Sequence, residues 1–259
     1  MNRTDEWENM EHEFVKKIIV CVVAVVVFWT VINVAFDHIE RGQMREYTSF
    51  LREKAGVTED ELPETINFDA LHEVSRDVVA WICAPDTEIN YVIAQTDNNR
   101  YYLENQLNGG YSMGGTLFVN CDNHSDLSDW NTVIYGHCMK NGSMFGSIRN
   151  YDSPEYYEKH PVMYLYTPGH RFRLELIAAY TTWLTDISYD IPKTVKGRDK
   201  IVANAKKQSM FQSDVTVGKG DKLVTLSTCM DDLQDKTYVV VGKLVEDKKS
   251  KVTVKEVTE

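Results

Sequence analysis

Two side chains have the types and settings that nucleophilic acyl chemistry needs, Cys229 and His137. Cys229 closes Thr225-Leu226-Ser227-Thr228-Cys229, an apolar and β-branched approach that gives way to the polar Met230-Asp231-Asp232-Leu233-Gln234-Asp235. This pattern predicts a thiol where a strand ends in a loop. His137 follows another strand-like run, Asn131-Thr132-Val133-Ile134-Tyr135, with Gly136 as a hinge and polar Lys140-Asn141-Gly142-Ser143 behind it. A thiol attacks as the thiolate, and an imidazole is the commonest partner for taking its proton and returning one to a leaving group. The two need to be close in space only. A cysteine at a strand end is by itself usually a small buried hydrophobe, so the setting of His137 is what singles Cys229 out. Among His12, His38, His72, His124, His160 and His170, only His124, in Asn120-Cys121-Asp122-Asn123-His124, rivals His137 as a base.

Thr225–Cys229 together with Ile134-Tyr135-Gly136-His137 resembles the sortases, cysteine transpeptidases of Gram-positive cell surfaces. Ile66-Asn67-Phe68-Asp69, Ile89-Asn90-Tyr91-Val92, Asn99-Arg100-Tyr101-Tyr102-Leu103 and Gly115-Thr116-Leu117-Phe118 resemble class B sortases in particular. The resemblance runs from about Ile66 to Val245. It implies a mainly β fold, a closed eight-stranded barrel with N-terminal helices and a helix inserted before the cysteine strand. It also implies a reaction: Cys229 attacks a carbonyl in an Asn-Pro-x-Thr type sorting signal, and His137 protonates the departing amine. The thioacyl enzyme then passes to an amine of a peptidoglycan precursor. Ser227, Thr228, Met230 and Thr237 would line the oxyanion and substrate groove, with no metal and no cofactor.

One position departs from the family. Sortases carry an arginine two residues ahead of the Val-Val-Val run after the cysteine, and Val239-Val240-Val241 places Thr237 there. No arginine follows Cys229. Three readings stay open: Lys236 replaces it, another cation such as Arg100 or Arg173 reaches in, or the enzyme is impaired. The corresponding alternatives are a membrane-anchored module that binds sorting signals or wall peptides without cutting them, and a pilin-polymerising sortase. A thiol protease that releases its product to water is a further, weaker alternative.

The elements that must position these groups follow from the rest of the chain. Ile18 to Phe36 is a run of nineteen residues without a charge, and at about 1.5 Å per residue it covers the hydrocarbon core of a bilayer. Lys16 and Lys17 before it, against Asp37, Glu40 and Arg41 after it, predict a cytoplasmic N-terminus and an extracellular catalytic domain. The expected divisions are a cytoplasmic tail 1–17, a transmembrane anchor 18–36, a stalk and linker 37–65, a catalytic domain 66–247 and a tail 248–259. A stalk helix should end near Gly56, and short helices are expected over Asp69–Arg76, Pro154–Lys159 and Arg198–Met210. Many short strand-like runs separated by turn residues favour a barrel or sandwich.

The 259 residues carry a formal charge of −11, which argues against a nucleic-acid partner because backbone binding needs clustered Lys and Arg. There is neither a CxxC nor a zinc-ligand spacing. Outside the span, Cys83–Cys121 and Cys121–Cys138 are open as disulfides. Cys138, beside His137, either faces away from the cleft or reaches it and oxidises with Cys229.

Overall fold

A computed structural model describes residues 3–58, 61–229 and 236–247. The chain divides into two compact units, Met1–Tyr47 and Thr48–Glu259. Helix α1 (Arg3–Ala55) makes up the described part of the first and enters the second. It contains a stretch long and apolar enough to cross a membrane. The polar side chains there are satisfied by their own helix: Thr30 Oγ1 donates to Val27 O at 2.8 Å and Asn33 Nδ2 to Trp29 O at 2.7 Å. This is the arrangement an apolar surround demands. The helix stops at Ala55, and Gly56 follows with φ of 70°, the left-handed turn for which glycine is suited.

The second unit is built on a closed barrel of eight strands in the order β1-β2-β3-β4-β7-β8-β6-β5. The strands are β1 (Val78–Cys83), β2 (Asn90–Ala94), β3 (Leu117–Val119), β4 (Asn131–Gly136), β5 (Val162–Thr167), β6 (His170–Trp183), β7 (Lys222–Cys229) and β8 (Lys236–Glu246). Closure gives every one of these strands a neighbour on both sides, so the barrel presents no open edge. Helix α2 (Phe68–Val74) begins one residue before the expected Asp69, because the Asn67 side chain accepts from Ala70 N at 3.1 Å and caps it there. Helix α3 (Pro154–Lys159) is capped by Ser153.

Strands β4 and β7 run parallel and adjacent, although the crossover between them contains α3, β5, β6 and helix α4 (Val195–Gln208). Helix α4 starts a turn earlier than its apolar spacing predicts, since the Thr194 hydroxyl accepts from Gly197 N at 3.2 Å. Its Ile201 and Ala205 pack on Ile177, Ala178, Tyr180, Leu223, Val239 and Val241, the outward face of β6, β7 and β8. Burying that apolar stripe is worth about 25 cal/mol per Å² removed from water.

Arg198 of α4 is 1 % exposed and reaches the entrance to β7. Its Nη1 donates to Gly218 O at 2.8 Å, to Lys219 O at 3.4 Å and to Asp221 O, while Nη2 pairs with Asp199. The guanidinium also lies over the Trp130 ring, 5.4 Å from its centre. Trp130 precedes β4 and its carbonyl accepts from Leu223 N at 3.0 Å. One buried cation therefore ties together the starts of the two strands whose far ends carry His137 and Cys229.

Candidate active site

The β4–β7 ladder pairs Tyr135 with Ser227 and Gly136 with Thr228. One step further, His137 leaves β4 opposite Cys229, the last residue of β7, on neighbouring strands about 4.8 Å apart. Gly136 is required at this step: a Cβ there would strike Leu117 Cδ2 and lie 2.7 Å from Phe145 Cδ2. Cys229 is exposed and His137 half-buried. The imidazole Nε2 lies 2.6 Å from Leu103 O in the 3₁₀ turn Tyr101–Leu103. A carbonyl only accepts, so Nε2 carries a proton and Nδ1 is the nitrogen left for exchange.

Alternation assigns the neighbours of Cys229 to two faces. Ser227 shares its face, and on β8 so does Thr237, the direct ladder partner of Cys229. Both are buried and both meet one phenol: Tyr189 OH is 2.7 Å from Ser227 Oγ and donates to Thr237 Oγ1 at 2.7 Å. Thr237 passes its own proton toward Thr182 O at 3.5 Å. Burial pushes the Tyr189 phenol up to about 12, although the bonds with Ser227 and Thr237 pull the other way. The Tyr189 ring stacks against Tyr135, centroids 6.2 Å apart. Nothing in the sequence singles out Tyr189; the only local signal is Asp186, whose side chain caps the 3₁₀ turn Ile187–Tyr189 through Ser188 N.

The other expected site residues fall differently. Thr228 points to the opposite face from Cys229, is 1 % exposed, and its hydroxyl is buried without a hydrogen-bond partner. It is a barrel-interior residue and does not line the groove. Met230 lies outside the described residues, as do Asp231–Asp235 and the tail from Lys248. Lys236 pairs with Trp183 of β6, and β8 holds a regular register with β7 at this end. It therefore alternates to the face opposite Thr237, with no bulge to return it.

Arg173 pairs with Val245, about 26 Å of strand from Thr237, and forms an ion pair with Glu175 at 3.1 Å. That distance excludes it from the thiol. Arg100 immediately precedes the 3₁₀ turn that holds His137, but its side chain is exposed. His124 is bound to Asp129 at 2.9 Å beside the start of β4, about 20 Å of strand from the thiol, and is no rival base.

None of the five cysteines, all among the described residues, is in a disulfide. Cys83 is buried in the barrel, and desolvation pushes its thiol up to about 12, against a hydrogen bond from Tyr166 and the charge of Arg171. Cys138 accepts from Arg149 Nη1 at 3.8 Å.

No family model matches the chain. A sortase B of Listeria monocytogenes is 34 % identical over 203 residues, covering 74 % of this chain and 82 % of that protein. The chain belongs to the sortase B family. A Staphylococcus aureus sortase B is 28 % identical over 88 % of this chain and 94 % of that protein. The barrel superimposes on the S. aureus sortase B–substrate complex with a TM-score of 0.72 at 27 % identity, covering 80 % of this chain and 99 % of that one. A Bacillus anthracis sortase B in complex with AAEK1 gives 0.70 at 30 % identity, over 81 % and 100 %. Like other sortases, the protein is a cysteine transpeptidase.

Proposed function

We propose that Cys229 is the nucleophile and His137 the proton carrier of a transpeptidase that acts on Asn-Pro-x-Thr type sorting signals of surface proteins. The observation that carries this reading is the exposed thiol at the end of β7 opposite His137, whose Nε2 is held by Leu103 O. The Cys229 thiolate adds to a backbone carbonyl of the signal, forming the S–C bond and moving the carbonyl π pair onto oxygen. The Met230 backbone N–H, next in the chain to the cysteine, is the main-chain donor for that oxyanion. When the oxyanion re-forms its double bond, the C–N bond breaks and His137 gives the leaving amine a proton from Nδ1. An acceptor amine then attacks the thioester, loses its proton to Nδ1 and expels Cys229 as thiolate.

The acceptor is an amine of a peptidoglycan precursor; a solved sortase B complexed with triglycine gives a precedent for a peptide amine in the family. The apolar stretch of α1 anchors the protein in the cell membrane, with Lys16 and Lys17 inside and the catalytic domain outside. Tail, anchor, stalk and catalytic domain then follow in chain order as 1–17, 18–36, 37–65 and 66–247.

The test is intact mass spectrometry of the protein incubated with an Asn-Pro-x-Thr peptide, with and without an amine. A thioacyl adduct that Cys229→Ala abolishes, and that an added amine converts to ligated product, supports transpeptidation. Peptide binding without any adduct would instead make the chain a binding module. An adduct released only to water would make it a protease.

A further inference from the structure

A second concave site lies at the turn from β1 to β2. It has a volume of about 630 Å³ and is bounded by that turn, by Glu61 and Leu62 of the linker, by the 3₁₀ helix Gly146–Asp152 and by Tyr156 of α3. Cavities of about 300–1,000 Å³ are the size that holds small ligands. No lining residue comes from β4, β7, β8 or the Tyr189 turn, so this cavity is separate from the thiol site.

Its charge has one sign. Glu61, Asp86 and Glu88 line it, and no lysine, arginine or histidine does. All three carboxylates belong to exposed residues, and none is in an ion pair among the described residues. Arg52 is engaged beside the cavity: its Nε donates to Asn90 O at 3.3 Å and its guanidinium lies over the Tyr91 ring, 5.9 Å from the centre. The Cys83 thiol, which also lines the wall, is pushed up to about 12 by burial and stays neutral. A concave wall of one sign focuses field lines and concentrates ligands of the opposite charge.

The turn that carries two of the carboxylates is held by its own bonds. Ala84 N donates to Ile89 O at 2.8 Å, Thr87 Oγ1 to Ala84 O at 2.8 Å, and Ile89 N to Thr87 Oγ1 at 3.1 Å. Among the described residues, no group of three His, Cys, Asp or Glu side chains is placed to hold a metal ion. The negative charge is therefore spread along the wall, which suits a ligand whose positive charges are spread too. Ser147 marks the site independently. It lines the cavity, is 6 % exposed, and its hydroxyl is buried with no hydrogen-bond partner. Buried hydroxyls are seldom left so, and a ligand carbonyl at the inner wall supplies the missing acceptor.

We infer that this cavity binds a peptide segment bearing two or more lysine or arginine side chains. The cationic heads pair with Glu61, Asp86 and Glu88, and the aliphatic stems lie along Leu62, Pro85 and Tyr156. A main-chain carbonyl of the segment accepts the Ser147 proton, which is what distinguishes a peptide from a bare amine here.

The experiment titrates the full chain in detergent micelles, by calorimetry at low salt, with trilysine blocked at both termini and with equally blocked triglycine. Trilysine should bind with one saturable site and triglycine should not. Neutralising the wall with Glu61→Gln, Asp86→Asn and Glu88→Gln together should weaken trilysine about tenfold, the sum of three partly exposed ion pairs. Ser147→Ala should weaken it about fivefold, the loss of one hydrogen bond. Asp97→Asn with Asp214→Asn, two exposed carboxylates outside the cavity, should leave it within about twofold. In wild type, a carbodiimide should couple a trilysine amine to Glu61, Asp86 or Glu88 as an amide, the carbodiimide taking up the water lost. Binding that the wall variant leaves within about twofold overturns the inference, as does an equal loss in the control pair. Coupling spread over carboxylates outside the cavity overturns it too. None of these readouts needs turnover, so failure here leaves the transpeptidase reading standing, and failure of that reading leaves this site untouched.

Discussion

Cys229 and Thr237 are direct partners across the β7–β8 ladder, and the Thr237 hydroxyl is engaged by Tyr189 beneath them. The floor of the site is thus a chain of hydroxyls, Ser227 to Tyr189 to Thr237 to Thr182 O, in place of a charged group. Four predictions test how this floor and the strands around it hold the reacting pair.

Tyr189→Phe removes the central link and leaves the buried Ser227 and Thr237 hydroxyls without it. An unsatisfied buried hydroxyl costs about 1–3 kcal/mol, so chemical denaturation should show a loss in that range. A slackened Cys229 strand end should also lower kcat/KM about tenfold. Because the phenol titrates near 12, the acid and neutral limbs of the pH–rate profile should match wild type.

Gly136→Ala tests the step that sends His137 toward Cys229. The added methyl meets Leu117 and Phe145 inside the barrel, both fully packed. Overpacking of this kind costs about 1–3 kcal/mol, and any relief by backbone shift displaces His137. Activity should fall more than stability alone explains, as judged by rates at a temperature where both proteins are folded.

Arg198→Met replaces the buried guanidinium with a chain of similar reach. The Gly218, Lys219 and Asp221 carbonyls lose their shared donor, for a destabilisation of about 3 kcal/mol. Hydrogen exchange should rise first at the starts of β4 and β7, where Trp130 and Leu223 meet.

Asp186→Asn should change the response to acid. Burial alone would raise this carboxyl, but hydrogen bonds from Ser188, Asn204 and Gln208 outweigh it and hold it below the ordinary carboxylate range. A depressed folded-state pKa contributes stability that is complete above the unfolded value near ~3.9 and is lost as pH falls through the folded value. Wild type should therefore lose melting temperature steadily below about pH 4, and Asp186→Asn, already weaker at neutral pH, should lose less over that interval. Thermal melts at neutral pH and at two acid values measure the difference.

Much of this protein was legible in the chain alone. The charge-free run Ile18–Phe36, the strand-then-cysteine pattern at 225–229 and the strand-Gly-His pattern at 131–137 are local, and local patterns of apolar and turn residues report directly on nearby backbone. The class B resemblance led from those residues to the eight-stranded barrel and the transpeptidase reaction. The sequence also located the missing arginine at Thr237, by counting back from Val239.

What surrounds that position was decided only by tertiary structure. Thr228, next to the cysteine in sequence, points into the barrel because strand neighbours alternate, so adjacency misassigned it to the groove. Tyr189 lies 40 residues before Cys229. It reaches the floor of the site through the crossover joining β4 to β7. Nothing local marks it, since a tyrosine after an aspartate-capped turn is an ordinary surface pattern. Its place comes from long-range packing, which brings distant segments to one strand end and which no single stretch of sequence encodes.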